Sequence, residues 1–386
     1  MEIAFWVCLG LVAYIYVGYF AGVFLLAPIL NRDVSKADIE PSITVVISAF
    51  NEEREIECTV VNKLLQDYPS DRLKVLVVSD GSTDRTDEIV RSLVDRSEGR
   101  LKLFRQEPRQ GKTQALNMAL RHTSAEIVVF ADANSIYAPG AIRSLARNFA
   151  DPTVGYVTGQ MVYLNPVESG VGAGSGSYMS YENELRKWET RLGSIVGVDG
   201  GIDAIRRELY MPMRPDQLPD FVLPLSVVEQ GKRVVYEPDA VVYESALGSA
   251  SEEFQMRVRV SLRSFWALYD KRNLLNPFRY PLFAWQLLSH KVFRYVAFLP
   301  LLGLVLFNIL AVGPHPFYLG FLAVQLVPYT FAALGHFLKH RHSQASKLLV
   351  FYYFVILNSA CGLAFWKFIN GQKMVLWKPR LGAQLR

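Results

Sequence analysis

Four stretches of the chain are almost free of charge. Residues 4–29 contain no Asp, Glu, Lys or Arg, and 295–313, 316–337 and 348–369 are nearly as apolar. A bilayer core takes about 20 mostly apolar residues as helix. The pattern therefore predicts about four transmembrane helices, one N-terminal (1–30) and three C-terminal (294–370). The first stretch is too long for the apolar part of a signal peptide, lacks a basic start and shows no clear cleavage site. Pro328 falls inside the third stretch, where a membrane helix tolerates it. None of the four alternates in the manner of an amphipathic core helix.

Between them the pattern changes. Over 42–250, short β-branched runs alternate with helical periodicity. Strands are predicted at 43–47, 73–78, 101–104 and 127–130, with helices at 52–65, 84–94, 112–121 and 139–149. Strands separated by helices imply a mainly parallel sheet with right-handed crossovers. In such sheets ligands bind beyond the carboxyl ends of the strands. Polar clusters stand at those ends: Asn51-Glu52, Asp80-Gly81-Ser82 and Asp132-Ala133-Asn134. The glycine-rich run 170–176 lacks a nucleotide fingerprint and reads as a mobile loop. Residues 251–293 form a third kind of segment. Arg257, Arg259, Arg263, Lys271, Arg272, Arg279 and Lys291 are interleaved with Phe265, Trp266, Phe278, Tyr280, Phe283 and Trp285. This predicts helices lying in the lipid headgroup layer.

Composition sharpens the picture. The chain has 386 residues, 51% of them hydrophobic, which excludes disorder, and three Cys cannot form a disulfide scaffold. The net charge of +5 hides an asymmetry. Residues 31–250 carry 25 Lys+Arg and 32 Asp+Glu; residues 251–386 carry 16 and 3. The basic part is also the apolar part, so lipid and not nucleic acid is the expected partner. Short-loop charges place residues 31–290 in the cytoplasm, because the 338–347 connection is basic and the 314–316 connection is not. Four complete spans then put the C-terminus outside. The tail 371–386, with Lys373, Lys378, Arg380 and Arg386, argues the reverse, and a re-entrant segment is the alternative.

Each polar cluster admits two readings. Asp80 to Asp84 makes either a turn ahead of a helix or a carboxylate that accepts from a nucleoside. Asp132 and Asn134 supply either a loop cap or hard oxygens for Mg²⁺ or Mn²⁺. Lys112, at a helix start after Gly111, meets either solvent or a phosphate. Asp220, between Pro219 and an apolar run, is either a helix cap or a general base.

In order along the chain, these signals resemble the inverting family 2 glycosyltransferases with their GT-A fold. The matching stretches are Val45 to Glu53, Val77 to Asp84, Gly111 to Asn117, Phe130 to Asn134, and Asp220 ahead of Gly231 to Ala240. The arrangement of spans looks like the membrane branch that includes chitin-oligosaccharide, hyaluronan and poly-N-acetylglucosamine synthases.

The resemblance implies a mixed, mainly parallel sheet flanked by helices, with the catalytic domain over 31–250. It implies that Ala49, Glu52 and Asp80 line a uridine pocket, that Lys112 meets the diphosphate, and that Asp132 handles nucleotide and metal with Asn134. Asp220 becomes the base, and Gly201 and Arg206 lie beside the sugar subsites. Asn134 departs from the second acid of Asp-x-Asp. The Arg-x-x-Arg-Trp-like element after the base is altered as well, although Arg259 and Arg263 still share a helix face and Trp266 is placed to stack on an acceptor sugar.

The function expected is transfer from a UDP-sugar to a growing polysaccharide at the inner face of a prokaryotic membrane. An export partner subunit or homo-oligomer would complete the assembly. Single addition to a lipid acceptor is the alternative, and a degenerate membrane scaffold is the non-enzymatic one. The spans carry no acid after Glu2, which argues against an ion-coupled transporter.

Overall fold

The computed structural model describes residues 1–164, 172–245, 250–313, 316–338 and 346–375. It divides into two compact units. The 314–315 and 339–345 connections and the tail residues Lys378, Arg380 and Arg386, on which the charge-based topology rests, lie outside the described residues.

The first unit, residues 30–164 and 186–245, is built on one eight-stranded sheet in the order β3-β2-β1-β4-β7-β6-β8-β5. The strands are β1 (Ile43–Ala49), β2 (Leu73–Ser79), β3 (Leu101–Arg105), β4 (Ile127–Asp132), β5 (Ile136–Tyr137), β6 (Val154–Leu164), β7 (Ile202–Arg206) and β8 (Arg233–Ser245). β1 pairs in parallel with β2 and β4, and β2 with β3. Every residue of β1 is buried, as expected of a strand covered on both faces. Each buried Val or Ile there contributes about 1.5–3 kcal/mol.

The four early strands and their helices fall close to the expected places. The first helix is shorter than the pattern suggests, running Ile56–Leu64. The backbone N–H groups of Asn51, Glu52 and Glu53 donate to Ser82, Thr86 and Asp84 instead. Helical periodicity over 52–55 yields to this loop-to-loop zipper. The antiparallel half was not anticipated: β7 runs antiparallel to β4 and to β6, while β6 and β8 are parallel.

The second unit comprises residues 1–29, 165–185 and 246–373. Three helical segments are long and apolar enough to cross a membrane: Glu2–Leu30, Pro316–Gly335 and Val350–Ile369. A bent pair, Pro281–Tyr295 with Phe298–Ala311, turns by 60° and would make a fourth. The pair runs back along the N-terminal helix. Trp285 packs on Gly22, Ser289 bonds Tyr14, and Gly303 and Leu304 meet Cys8 and Phe5. The N-terminal helix and the pair each contain a π-helical turn, at Tyr14–Gly18 and Leu288–Val292. Tyr14 in the first turn bonds Ser289 in the second, with the Trp285 indole N–H donating to the Tyr14 hydroxyl. The glycine-rich run belongs from residue 172 onward to the helix Gly172–Leu192, not to a loop; 170–171 lie outside the described residues.

Candidate active site

Three of the polar clusters converge at the carboxyl edge of β1, β2 and β4. Lys112 opens the helix Lys112–Arg121. Its Nζ lies 2.8 Å from Asp132 Oδ1 and 3.6 Å from Asp220 Oδ1. Asp132 ends β4, and Asp220 is the second residue of the helix Pro219–Glu229. All three side chains keep partial access to solvent. Burial works against the Lys112 charge, yet Asp132 and Asp220 outweigh it and hold its pKa above the usual lysine value. One ammonium thus bridges two carboxylates that come from elements nearly 90 residues apart.

Gly200 packs directly against Asp220. It adopts φ +84°, and a Cβ built on it would lie 2.7 Å from Asp220 Cγ and Oδ2. Only glycine satisfies both the left-handed backbone and the close approach. Gly201 is buried against Glu244 and Met161, and its carbonyl accepts from the Tyr137 hydroxyl.

The Asp80 carboxylate is fully buried and already engaged. Oδ1 accepts from Gln106 Nε2 and from the backbone N–H groups of Gln110 and Gly111; Oδ2 accepts from Gly111 N–H and Arg109 Nε. The Arg109 guanidinium stands 3.4 Å above the Phe50 ring centre. Ala49 ends β1 beneath this group, its carbonyl accepting from Asp80 N–H. Glu52 follows on the same edge, where its carbonyl starts the helix Ile56–Leu64. Neither Arg109 nor Phe50 was singled out from the sequence. No short motif marks them, because their pairing depends on the 106–111 loop folding back over β2.

Other expected members stand elsewhere. Arg206 closes β7 at the opposite edge, where β7 pairs Arg206 with Ile127 at the start of β4. Its guanidinium donates to the carbonyls of Phe149, Asp151 and Val154, so it staples the fold and does not join the carboxylates. The antiparallel direction of β7 is the reason: Ile202, not Arg206, is at the site end. Arg259, Arg263 and Trp266 lie in the other unit, on the helix Ala250–Asp270. The Trp266 indole donates to the Gln372 carbonyl, Lys373 covers its ring, and Phe368 and Tyr269 meet it edge-on. That ring is half-buried and packs within its own unit.

Two further ionisable groups near the carboxylate cluster escaped the sequence reading. Asp203 is a lone acid in the apolar strand Ile202–Arg206 and is 1% exposed. Lys63 is fully buried on the helix Ile56–Leu64, where its ammonium donates to the Ser135 carbonyl and to Asn62 and lies over the Tyr137 ring. Burial pulls its pKa down to about 7 against the support of Glu244 and Asp132. The readable signal for both was a charge at a position whose neighbours on the same face are apolar.

The metal expectation rests on Asp132 and Asn134. Among the described residues no group of three His, Cys, Asp or Glu side chains is placed to hold an ion. A carboxylate and an amide oxygen nevertheless match what Mg²⁺ takes from a protein when substrate phosphates supply the other ligands. Asp132 is a third exposed at the open edge of the sheet, as such a shared site requires.

Residues 44–212 match the family described as Glycosyl transferase family 2. An N-acetylglucosaminyltransferase of Rhizobium sp. (strain N33) is 27% identical over 252 residues, 61% of this chain and 55% of that protein. A beta-monoglucosyldiacylglycerol synthase of Synechocystis sp. is 30% identical over 183 residues, 47% of this chain and 38% of that protein. The chain therefore spans about half the length of these curated relatives. Among solved structures, a mannosyltransferase from Pyrobaculum calidifontis in complex with GDP-Man and Mn²⁺ superposes with a TM-score of 0.72 at 24% identity, covering 95% of this chain and 99% of that one. That likeness gives the chain a GT-A-type fold.

Proposed function

We propose that the chain, whose residues 44–212 match the family described as Glycosyl transferase family 2, moves a sugar from a nucleotide-sugar donor to a hydroxyl at a membrane surface, inverting the anomeric carbon. The observation that carries this reading is the Lys112 ammonium held between Asp132 and Asp220 at the carboxyl edge of the sheet. It gathers one cation for a diphosphate and one carboxylate for an acceptor.

In this reading Asp220 takes the acceptor proton. The acceptor oxygen then bonds the anomeric carbon from the side opposite the diphosphate. The carbon–oxygen bond to the diphosphate breaks, and its electron pair leaves on that oxygen. Lys112 meets the charge that develops there, an electrostatic contribution that needs no rearrangement because the ammonium is already fixed. Asp132 and Asn134 would hold Mg²⁺ or Mn²⁺, which when bound neutralises diphosphate charge. Gly200 keeps the Asp220 carboxylate in place.

The donor is a UDP-sugar of the UDP-glucose or UDP-N-acetylglucosamine type on the resemblance; the GDP-Man of the P. calidifontis protein makes a guanosine donor the competing case. The acceptor is a growing polysaccharide at the cytoplasmic face of a prokaryotic inner membrane. A second reading, single addition to a lipid acceptor, is favoured by one observation: the Trp266 indole already donates to the Gln372 carbonyl and carries Lys373 over its ring.

Two measurements test these readings. Asp220→Asn should lower kcat by about 100- to 10,000-fold, the range for a general base, while nucleotide affinity stays; normal turnover would remove Asp220 as the base. Protein in lipid, given Mg²⁺ or Mn²⁺ and radiolabelled UDP- and GDP-sugars, should yield a large glycosidase-sensitive product if the acceptor is a polymer. A small solvent-extractable product would establish the lipid reading.

A further inference from the structure

Asp203 lies on β7, three residues after Gly200, which packs on the Asp220 carboxylate. Among the described residues neither of its buried carboxyl oxygens has a hydrogen bond of proper geometry. A buried carboxylate in that condition is unfavourable if ionised and tolerable if protonated. Its surroundings reinforce this. Across β6 it pairs with Thr158, whose hydroxyl and that of Tyr156 are its polar neighbours. From the helix Pro219–Glu229 it faces Asp220, and from the preceding loop Asp199, which is paired with Arg186 at 2.6 Å. Tyr137 of β5 is also near. Among the described residues the cation that acts on it is Lys112, already bridging Asp132 and Asp220.

We propose that Asp203 is a positioning residue: the neutral, proton-holding neighbour of the base, whose neutrality reserves Lys112 for the donor diphosphate. This rests on the assignment of Asp220 as base. Asp203 itself neither gives nor takes a proton during transfer. Burial, followed by the charges of Asp220 and Asp199, pushes its carboxyl up to about 8. Below that pH, Lys112 faces two carboxylates. Above it, a third carboxylate draws on the same ammonium and adds negative charge where a diphosphate must bind.

The test uses the full chain in lipid and Asp203→Asn, whose amide cannot ionise. At pH 7 the variant should keep kcat within about threefold of the native chain. On going from pH 7 to 9 the donor KM of the native chain should rise at least threefold, and that of the variant should stay level. Infrared difference spectra give a readout without turnover. The native chain should show the carbonyl stretch of a protonated carboxyl at pH 7, lost near pH 8 and absent from the variant. In Asp220→Asn that stretch should disappear at lower pH, because the like charge is gone. Absence of the band at pH 7, a KM slope unchanged by the substitution, or a loss of more than 100-fold in kcat with native infrared amide bands would each overturn the proposal. The band is independent of catalysis, so its absence overturns this inference while leaving the assignment of Asp220 to its own variant.

Discussion

A methyl group on Gly200 would stand 2.7 Å from the Asp220 carboxylate, on a backbone with φ +84°. Gly200→Ala must therefore push Asp220 away from Lys112 or distort the turn that carries it. Displacement of a catalytic group by about 1 Å costs on the order of 100-fold in rate. The expected outcome is a kcat reduced by about that factor with the donor KM little changed, read from steady-state kinetics; an unaffected kcat would mean that Asp220 is not held by this contact. At this scale the sequence was partly legible. Lys112, Asp132 and Asp220 lie in recognisable surroundings, and the structure brings them together. Arg206 was misplaced, because a motif gives order along the chain but not strand direction. Asp203 was missed because a single acid in a short strand looks like a solvent-facing position until the sheet closes over both of its faces.

Among the elements, the helix Gly172–Leu192 is the one whose role no periodicity announced. Its Glu182 is almost fully buried in the second unit, where His290 Nε2 lies 3.1 Å away and Arg294 completes the pairing. Burial opposes the Glu182 charge, but Arg294 and His290 overcome it and hold the carboxyl well below the usual range. The stabilisation is thus present at neutral pH and fades only as pH falls below the ordinary glutamate value. Glu182→Gln leaves a buried cation without its counter-charge. The cost should be on the order of 3 kcal/mol, the low end for a buried pair because Arg294 keeps some water. A clear fall in Tm for the full chain in lipid at pH 7 is the expected result, and an unchanged Tm would make the cluster energetically idle. Strands and helices up to residue 149 were legible from short β-branched runs and from helical periodicity. The later strands β6 to β8 pair out of chain order, and pairing order is a long-range property that local patterns do not encode.

For the molecule as a whole, the hydrophobic runs foretold the apolar helices, while the bend at residues 295–298 did not show in composition. The bent pair follows the N-terminal helix from Gly22 back to Phe5, so it covers the same depth as that helix. With the bent pair counted as one span, four crossings are the expected number. Native and introduced cysteines test this. In sealed inside-out vesicles an impermeant maleimide should label Cys58, which is exposed on the sheet unit, and should spare Cys8 and Cys361. Gln384→Cys should react only from the other side. Reaction of both Cys58 and residue 384 from one side would reduce the crossings to an odd number.

The hydrogen bond between Tyr14 and Ser289 joins residues 275 positions apart. Translation proceeds at roughly 5–20 residues per second. The first apolar helix must therefore wait, for an interval on the order of tens of seconds, before the ribosome has made this partner, and longer still for Asn358, which accepts from the Tyr16 hydroxyl. During that interval every strand of the sheet is synthesised. The sheet unit thus has the opportunity to fold while tethered by a single, unfinished helix, and closure of the apolar helices becomes the last event in the birth of the protein.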